Sequence, residues 1–386
     1  MLQFSSLIQR KGTRTRRRRE RVRLSLAVAV GAAVLCLFGC ARGSVAAQRQ
    51  VIDVHGHILP FPPRPDRVSE ATVRRAVKIM DENGIVRTVD LNGEFGEPLK
   101  NRIGLYQRIA PGRFVVFTNL DFAKVNEPQF PKQAMADLEE SYRNGARGLK
   151  IFKSLGLGYK DENGKLLRFD DPRFDPVWVK CGELGIPVWF HIGDPAAFFR
   201  PPTPDNERYA ELGVHPEWGF YGDKWPARET LLTQMVNVLL RHPETTFVGV
   251  HFGNNPENIR YVAAVLDRCA NFNIDTAARV GEIGRRDPAA LREFFIKYQD
   301  RILFGSDTVY GPENIDLGVP MPGKRTDAEA KVFFETHWKF FETNARDMDH
   351  PAPIQGNWKV NAINLPSEVQ HKLYRENARR LIPGMN

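Results

Sequence analysis

Cysteine is scarce in this chain: 4 in 386 residues, with Cys36 and Cys40 in the first fifty and Cys181 and Cys269 standing alone in "VKCGEL" and "LDRCAN". No pair has C-x-x-C spacing, which argues against a cysteine metal site. The two downstream residues read as small buried hydrophobes, although one disulfide between them is compatible with an exported protein. Long hydrophobic runs are also lacking. The apolar stretch from Leu24 to Cys40 has 17 residues, slightly under the roughly 20 that a membrane span needs. A charge excess is missing from the body of the chain, despite a formal net charge of +9. Residues 1 to 50 hold 11 of the 55 Lys and Arg but only one of the 46 Asp and Glu, which leaves 44 basic and 45 acidic residues downstream, a net charge of −1. The basicity belongs to the leader, so the body carries no nucleic-acid signal. No internal repeat is evident, and no low-complexity tract lies beyond residue 50.

The leader reads "KGTRTRRRRERVR" followed by "LSLAVAVGAAVLCLFGC". A positive region ahead of an apolar run is the order of an export signal. "LFGC" resembles a lipoprotein signal with Cys40 as the acylated residue, while "SVA" and "VAA" offer an ordinary cleavage near Ala46 or Ala47. An uncleaved membrane anchor stays open, and the expected location is the periplasm or cell envelope.

From residue 51 onward, β-branched runs alternate with amphipathic stretches about eight times. Strands are expected at "VIDVH", "VRTVDL", "FVVFTNL", "RGLKIF", "IPVWFHI", "TFVGVHF", "NFNIDT" and "RILFGS". Helical patterns lie between most of them, as in "VSEATVRRAVKIMDENG", where Val73, Val77 and Met80 share a face before Gly84. The segment after "DLNGEFGE" offers only a weak helix. Eight strand-then-helix units predict an α/β fold, a (β/α)8 TIM barrel over residues 51–386. Two insertions, "SLGLGYKDENGKLLRFD" and a longer aromatic loop from about Asp194 to Arg228, both follow strands. A barrel places such loops at its C-terminal face, where active sites are built.

The residues competent to bind a metal gather at strand ends. His55 and His57 close the first strand, His191 the fifth, His251 the sixth and Asp307 the eighth. An isolated H-x-H is better explained by two polar residues capping a strand. Five candidates converging on one barrel mouth point instead to a metal centre. The remaining histidines, His215, His242, His337, His350 and His371, lie in loops or helices away from strand ends.

From Val51 to the C-terminus the chain resembles the amidohydrolase superfamily, in the amidohydrolase-related branch that also contains metal-dependent decarboxylases. The likeness rests on "DVHGH", "LGIPVWFHIGDP", "VGVHFGN", "RILFGSD" and the closing "YRENARRLI". "GSDTVYGP" departs from it, because relatives commonly carry proline two residues after the aspartate. The resemblance also draws attention to Lys150 in "GARGLKIFKS", the position where binuclear members carry a carboxylated lysine bridging two metals. Neutral imidazoles with a carboxylate suit zinc and leave a position open for water, whose pKa falls toward about 7.

The expected ligands are therefore His55, His57, His191 and Asp307 around one ion. Asp307 and His251 are the catalytic groups, with Asp307 as the general base and His251 orienting water or protonating the leaving group. Carboxylation of Lys150 would bring a second ion. Arg279, after the seventh strand, sits where a guanidinium can clamp a substrate carboxylate, or pair with Glu282. Asn92, Glu94, Trp218 and Tyr221 are weaker pocket candidates. The leading function is a metal-dependent hydrolase cleaving a C–N, ester or lactone bond of a small molecule. The alternatives are a non-oxidative decarboxylase and a non-catalytic exported binding protein. Expected partners are a small-molecule substrate and no nucleic acid, with membrane attachment through the leader and a homo-oligomer as open expectations.

Overall fold

A computed structural model describes residues 49–59 and 68–385. The export-signal, Cys40 and anchor readings lie outside them. All eight expected strands form. They are β1 (Val51–Ile58), β2 (Ile85–Glu94), β3 (Phe114–Thr118), β4 (Leu149–Ile151), β5 (Val188–Phe190), β6 (Phe247–Gly249), β7 (Phe272–Asp275) and β8 (Ile302–Leu303). They pair in parallel and in chain order. Eight longer helices intervene: α1 (Glu70–Glu82), α2 (Gly96–Ile109), α3 (Phe130–Arg143), α4 (Asp175–Leu184), α5 (Arg228–Arg241), α6 (Ile259–Arg268), α7 (Pro288–Lys297) and α8 (Asp327–Glu342). Val54 N–H donates to the Phe304 carbonyl at 2.9 Å and Asp307 N–H to the His55 carbonyl at 2.8 Å, so the end of the round meets its beginning. The result is a mixed α/β, TIM-barrel-like sheet of ten strands.

The two additional strands were not expected. β9 (Thr308–Tyr310) and β10 (Ile315–Leu317) form an antiparallel hairpin directly after Asp307. β9 also pairs in parallel with β1, Gly56 opposite Thr308 and Ile58 opposite Tyr310. Where relatives commonly carry proline, this chain has Val309, whose N–H is free to join a ladder.

Strand periodicity sorts the core into two layers. Val89, Phe117, Trp189, Val248 and Leu303 fill the barrel interior with Ala378, Ile382 and Met385 of the C-terminal segment. Val188, Phe190, Phe247 and Ile302 face outward against the helices. Lys150 lies opposite Trp189 in register, so it shares the interior face. The helix ends follow local chemistry: Ser69 Oγ caps α1 by accepting from Thr72 N–H at 3.1 Å, and Gly185 closes α4 at φ 63°.

The weak segment after β2 is a full 14-residue helix, α2. Gly96, Pro98 and Gly104 lower its propensity, and Arg102 occupies a core-facing position where the pattern calls for an apolar residue. Arg102 belongs there because it donates from Nη1 to Asp90 Oδ2 at 3.0 Å and from Nε to Glu94 Oε2 at 2.6 Å, locking the helix to its own strand. The first insertion closes as a hairpin, with an antiparallel bridge between Lys160 and Leu166. The long insertion holds a short helix, Tyr209–Val214, and packs Phe198, Leu212 and Phe220 against Leu157 of the first insertion and Leu231 of α5. Cys181 and Cys269 are both buried free thiols, as small hydrophobes would be. Among the described residues no helix is long and apolar enough to cross a membrane.

The interior layer leaves no room at the start of β4. A Cβ on Gly148 would stand 2.2 Å from the Phe117 ring. Gly148→Ala is expected to destabilise by about 1–3 kcal/mol, as overpacking does, seen as a fall of several degrees in thermal unfolding followed by circular dichroism. An unchanged transition would show that the interior layer is looser than described.

Candidate metal centre

The site sits where β1, β6, β7 and β8 end. His55 and His57 are buried, at 1% and 6% exposure. His55 Nδ1 lies 2.9 Å from Asp275 Oδ2, and His57 Nδ1 lies 3.2 Å from Asn92 Oδ1. Both partners are acceptors, so each Nδ1 carries a proton, and in the neutral ring Nε2 is the atom left to ligate a metal. Those Nε2 atoms converge on Asp307 Oδ1, at 3.3 Å from His55 and 3.5 Å from His57. His251 Nδ1 likewise donates to the Ala277 carbonyl at 2.9 Å, which leaves its Nε2 as an acceptor.

Backbone strain marks the same mouth. His251, Phe252, Asn254, Ala278 and Asp307 all have positive φ without being glycine. Such residues cost of order 1 kcal/mol or more each and persist where surrounding structure enforces them. For His251 the enforcing contact is its N–H bond to Asp275 Oδ1 at 2.8 Å; for Asp307 it is the N–H bond to the His55 carbonyl.

His55, His251 and Asp307 each present a donor atom within 4.8 Å of the other two. His57 reaches the same carboxylate. His191, expected as a ligand, turns Nε2 to Asp194 Oδ1 at 3.1 Å, and its ring centroid lies 4.5 Å from that of His251. Lys150 is 1% exposed on the interior face, with its Nζ 5.2 Å from the Phe152 ring centroid. No ion pair involves it among the described residues. Arg279 is buried rather than at the surface, with Nε 3.9 Å from Glu282 Oε1.

Burial sets the electrostatics. It pushes the imidazole of His191 down to about 4 and that of His57 below its ordinary range. His251 falls well below, through burial and then the nearby positive charge of Arg279. Burial works to raise Asp307, but the imidazoles of His55, His57 and His251 outweigh it and hold the carboxyl well below the carboxylate range. Lys150 drops to about 8 on burial, partly offset by Asp275 and Asp307. Neutral imidazoles beside an ionised carboxylate are the protonation states that a divalent cation requires of its ligands.

Several supporting residues escape a reading of the sequence. Asp275 closes β7 in "NFNIDT", the same strand-end position that marks His191 and Asp307, but its strand carries no histidine to draw attention to it. Asn92, a weak pocket candidate, braces His57 instead. Glu94 is engaged with Arg102, and Tyr221 is 56% exposed. Trp218 does approach the site: Lys153 Nζ lies 4.9 Å from its ring centroid and pairs with Asp194 Oδ2 at 2.7 Å. Of the other histidines, His242 pairs with Asp175 and His337 donates from Nδ1 to the Phe333 carbonyl, both away from the centre.

The family model for amidohydrolases matches residues 52–384. The chain belongs to the amidohydrolase family. Solved structures similar to this amidohydrolase include a 2,6-dihydroxybenzoate decarboxylase from Rhizobium, 18% identical over 86% of this chain and 98% of that one, with a TM-score of 0.49. A dihydroxybenzoic acid decarboxylase from Polaromonas sp. JS666 with bound manganese is 16% identical over 86% and 96% of the two chains, TM-score 0.49. A 4-oxalomesaconate hydratase from Rhodopseudomonas palustris is 17% identical over 86% and 96%, TM-score 0.49. A search of curated protein sequences returns no match.

Two outcomes follow for the amidohydrolase site. Asp275→Asn keeps the shape but weakens the acceptor that orients His55, so divalent metal affinity should fall about 10- to 100-fold, measured by competition with a chromophoric chelator. Unaltered affinity would remove Asp275 from this role. Secondly, His191 and the distant His337 are both held down to about 4 by burial. Between the ordinary imidazole value of about 6.5 and about 4, the unfolded chain takes up protons that these rings refuse. Stability should therefore fall as pH drops through that window, and His337→Gln should flatten the slope in denaturant titrations. An equal slope in the variant would contradict the depressed His337 value.

Proposed function

We propose that this amidohydrolase is a metal-dependent hydrolase acting on a C–N, ester or lactone bond of a small molecule that carries a carboxylate. The supporting observation is the placement of Asp307, whose side chain is 21% exposed while contacting the Nε2 atoms of two buried imidazoles. The donor chemistry fits a divalent cation, and zinc suits imidazole with carboxylate. His55, His57 and Asp307 would hold it, completed by His191 or His251. Such an ion, when bound, acidifies water and polarises a substrate oxygen.

The chain's own groups account for the remaining chemistry. Asp307, bordering solvent, receives the proton of the attacking water on its free carboxylate oxygen. Where His191 completes the ligand set, His251, fixed through Nδ1 to Ala277, presents Nε2 as an acceptor that orients that water or relays the proton taken up by Asp307 to the leaving group. Lys150 and Arg279 offer buried positive charge to the substrate carboxylate. Residues 1–50 are read as an export leader, with the mature enzyme in the periplasm or cell envelope.

One observation favours non-oxidative decarboxylation as a second reading. Lys150 is buried on the interior face with no carboxylate in ion-pair contact among the described residues, Asp275 and Asp307 acting on it from farther away, and a reacting carboxylate would pair with it directly. Carboxylation of Lys150 would instead convert its neutral amine, with release of a proton, into an anionic carbamate able to bridge two cations, and would show as a mass increment of one CO2 with two metals per chain.

A panel of lactones, amides and hydroxybenzoates separates the reactions, with acid release followed beside CO2 release. Acid release without CO2 supports hydrolysis; CO2 release overturns it in favour of the lyase. His55→Ala should lose both metal and turnover, and a variant retaining either would contradict the proposed ligand set.

A further inference from the structure

The long insertion is tied to the loop after β7 by a buried charge cluster outside the metal-competent set. Arg208 is fully buried. Its Nη1 donates to Glu211 Oε2 at 2.7 Å, and its Nη2 donates to Glu282 Oε1. Arg279 approaches the same oxygen with Nε at 3.9 Å, while its Nη1 donates to the Ala278 carbonyl at 2.8 Å. Two guanidinium groups thus compete for one carboxylate oxygen, and Arg208 holds it.

The open pair is about 1 Å longer than a charge-assisted hydrogen bond of roughly 2.8 Å. Neither Arg279 Nε nor Glu282 Oε2 has a hydrogen-bond partner among the described residues. Removing Arg208 would release Glu282 to close on Arg279 as a direct ion pair. An arginine engaged in that way no longer presents its planar fork to a ligand.

Arg279 also stands on the segment that shapes the catalytic mouth. The Ala277 carbonyl takes the His251 Nδ1 proton. Ala278 is left-handed at φ 53°, and its carbonyl accepts from Gln355 Nε2 at 3.0 Å as well as from Arg279. The Arg279 guanidinium is therefore held by its own backbone contact, 3.9 Å from the carboxylate oxygen that Arg208 occupies.

We propose that Arg208 is a positioning residue, which by holding Glu282 leaves the Arg279 guanidinium available to a substrate carboxylate and so couples seating of the insertion to substrate binding. This rests on the carboxylate reading of the substrate given above.

The test uses the full metal-loaded chain with benzoate as the probe, titrated calorimetrically into wild type, Arg208→Gln and Arg208→Gln/Glu282→Gln, together with a crystal structure of the single variant. Arg208→Gln should weaken benzoate binding about tenfold or more. The double variant, with no carboxylate to capture Arg279, should return to within about threefold of wild type. In the crystal the Arg279–Glu282 separation should shorten to about 2.8 Å. Unchanged affinity in the single variant overturns the proposal. So does a double variant as weak as the single, since a merely structural anchor would not be rescued by losing a second partner. If the single variant does not fold, the double carries the test, and weak benzoate binding by it is the overturning result. Failure of wild type to bind benzoate would strike the carboxylate reading alone. The Arg279–Glu282 distance in the crystal would still decide whether Arg208 keeps the two apart.

Discussion

Asp275 is a carboxylate with no exposure to solvent, and three segments of the barrel mouth donate to it. His55 reaches it from β1 through Nδ1, His251 through its backbone N–H after β6, and Ala277 through a backbone N–H of its own loop. A buried charge is tolerated only when it is hydrogen-bonded or paired, so these contacts are obligatory rather than decorative. They orient one metal-competent imidazole, hold another in a strained backbone conformation, and join β1, β6 and β7 at a single point.

A second buried carboxylate, one layer away, has the complementary role. Asp53 accepts from the His55 and Ser306 backbone N–H groups and from the Ser306 hydroxyl. Burial raises its carboxyl to about 7 in spite of those donors. Together the two groups place β1 against the segment after β8, and Asp307 emerges from that segment toward the imidazoles. The metal-competent atoms are thus the outermost members of a polar stack whose inner members are backbone and carboxylate. Around it the insertion supplies a wall. His215 stacks on Trp218 with centroids 3.9 Å apart and bonds the Pro320 carbonyl at 2.7 Å, so the aromatic loop reaches the segment just after β10.

Much of this is legible in the residues. All eight barrel strands are marked by β-branched runs, because a strand packed between an interior layer and a helical layer has to be apolar on both faces. His55, His57, His191, His251 and Asp307 are visible for the same reason: polar residues terminating such runs stand out. The pattern fails where a polar residue serves packing. α2 looks weak because Arg102 sits on its buried face, and nothing local in "GEPLKNRIGLYQRI" announces that Asp90 and Glu94 will neutralise it.

The sequence by itself determined the alternation of elements, the family to which that alternation and its strand-end motifs belong, and the residue types competent to hold a metal. Tertiary structure alone decided which of them meet. His251 rather than His191 groups with His55 and Asp307, because a run of left-handed residues after β6 redirects one imidazole while Asp194 captures the other. It also revealed Asp275 and the pairing of Arg208 with Glu282, which join residues far apart along the chain. Periodicity reports the face a residue occupies. Distance between faces is set by the closure of the barrel, and hydrogen-bond partners follow from that.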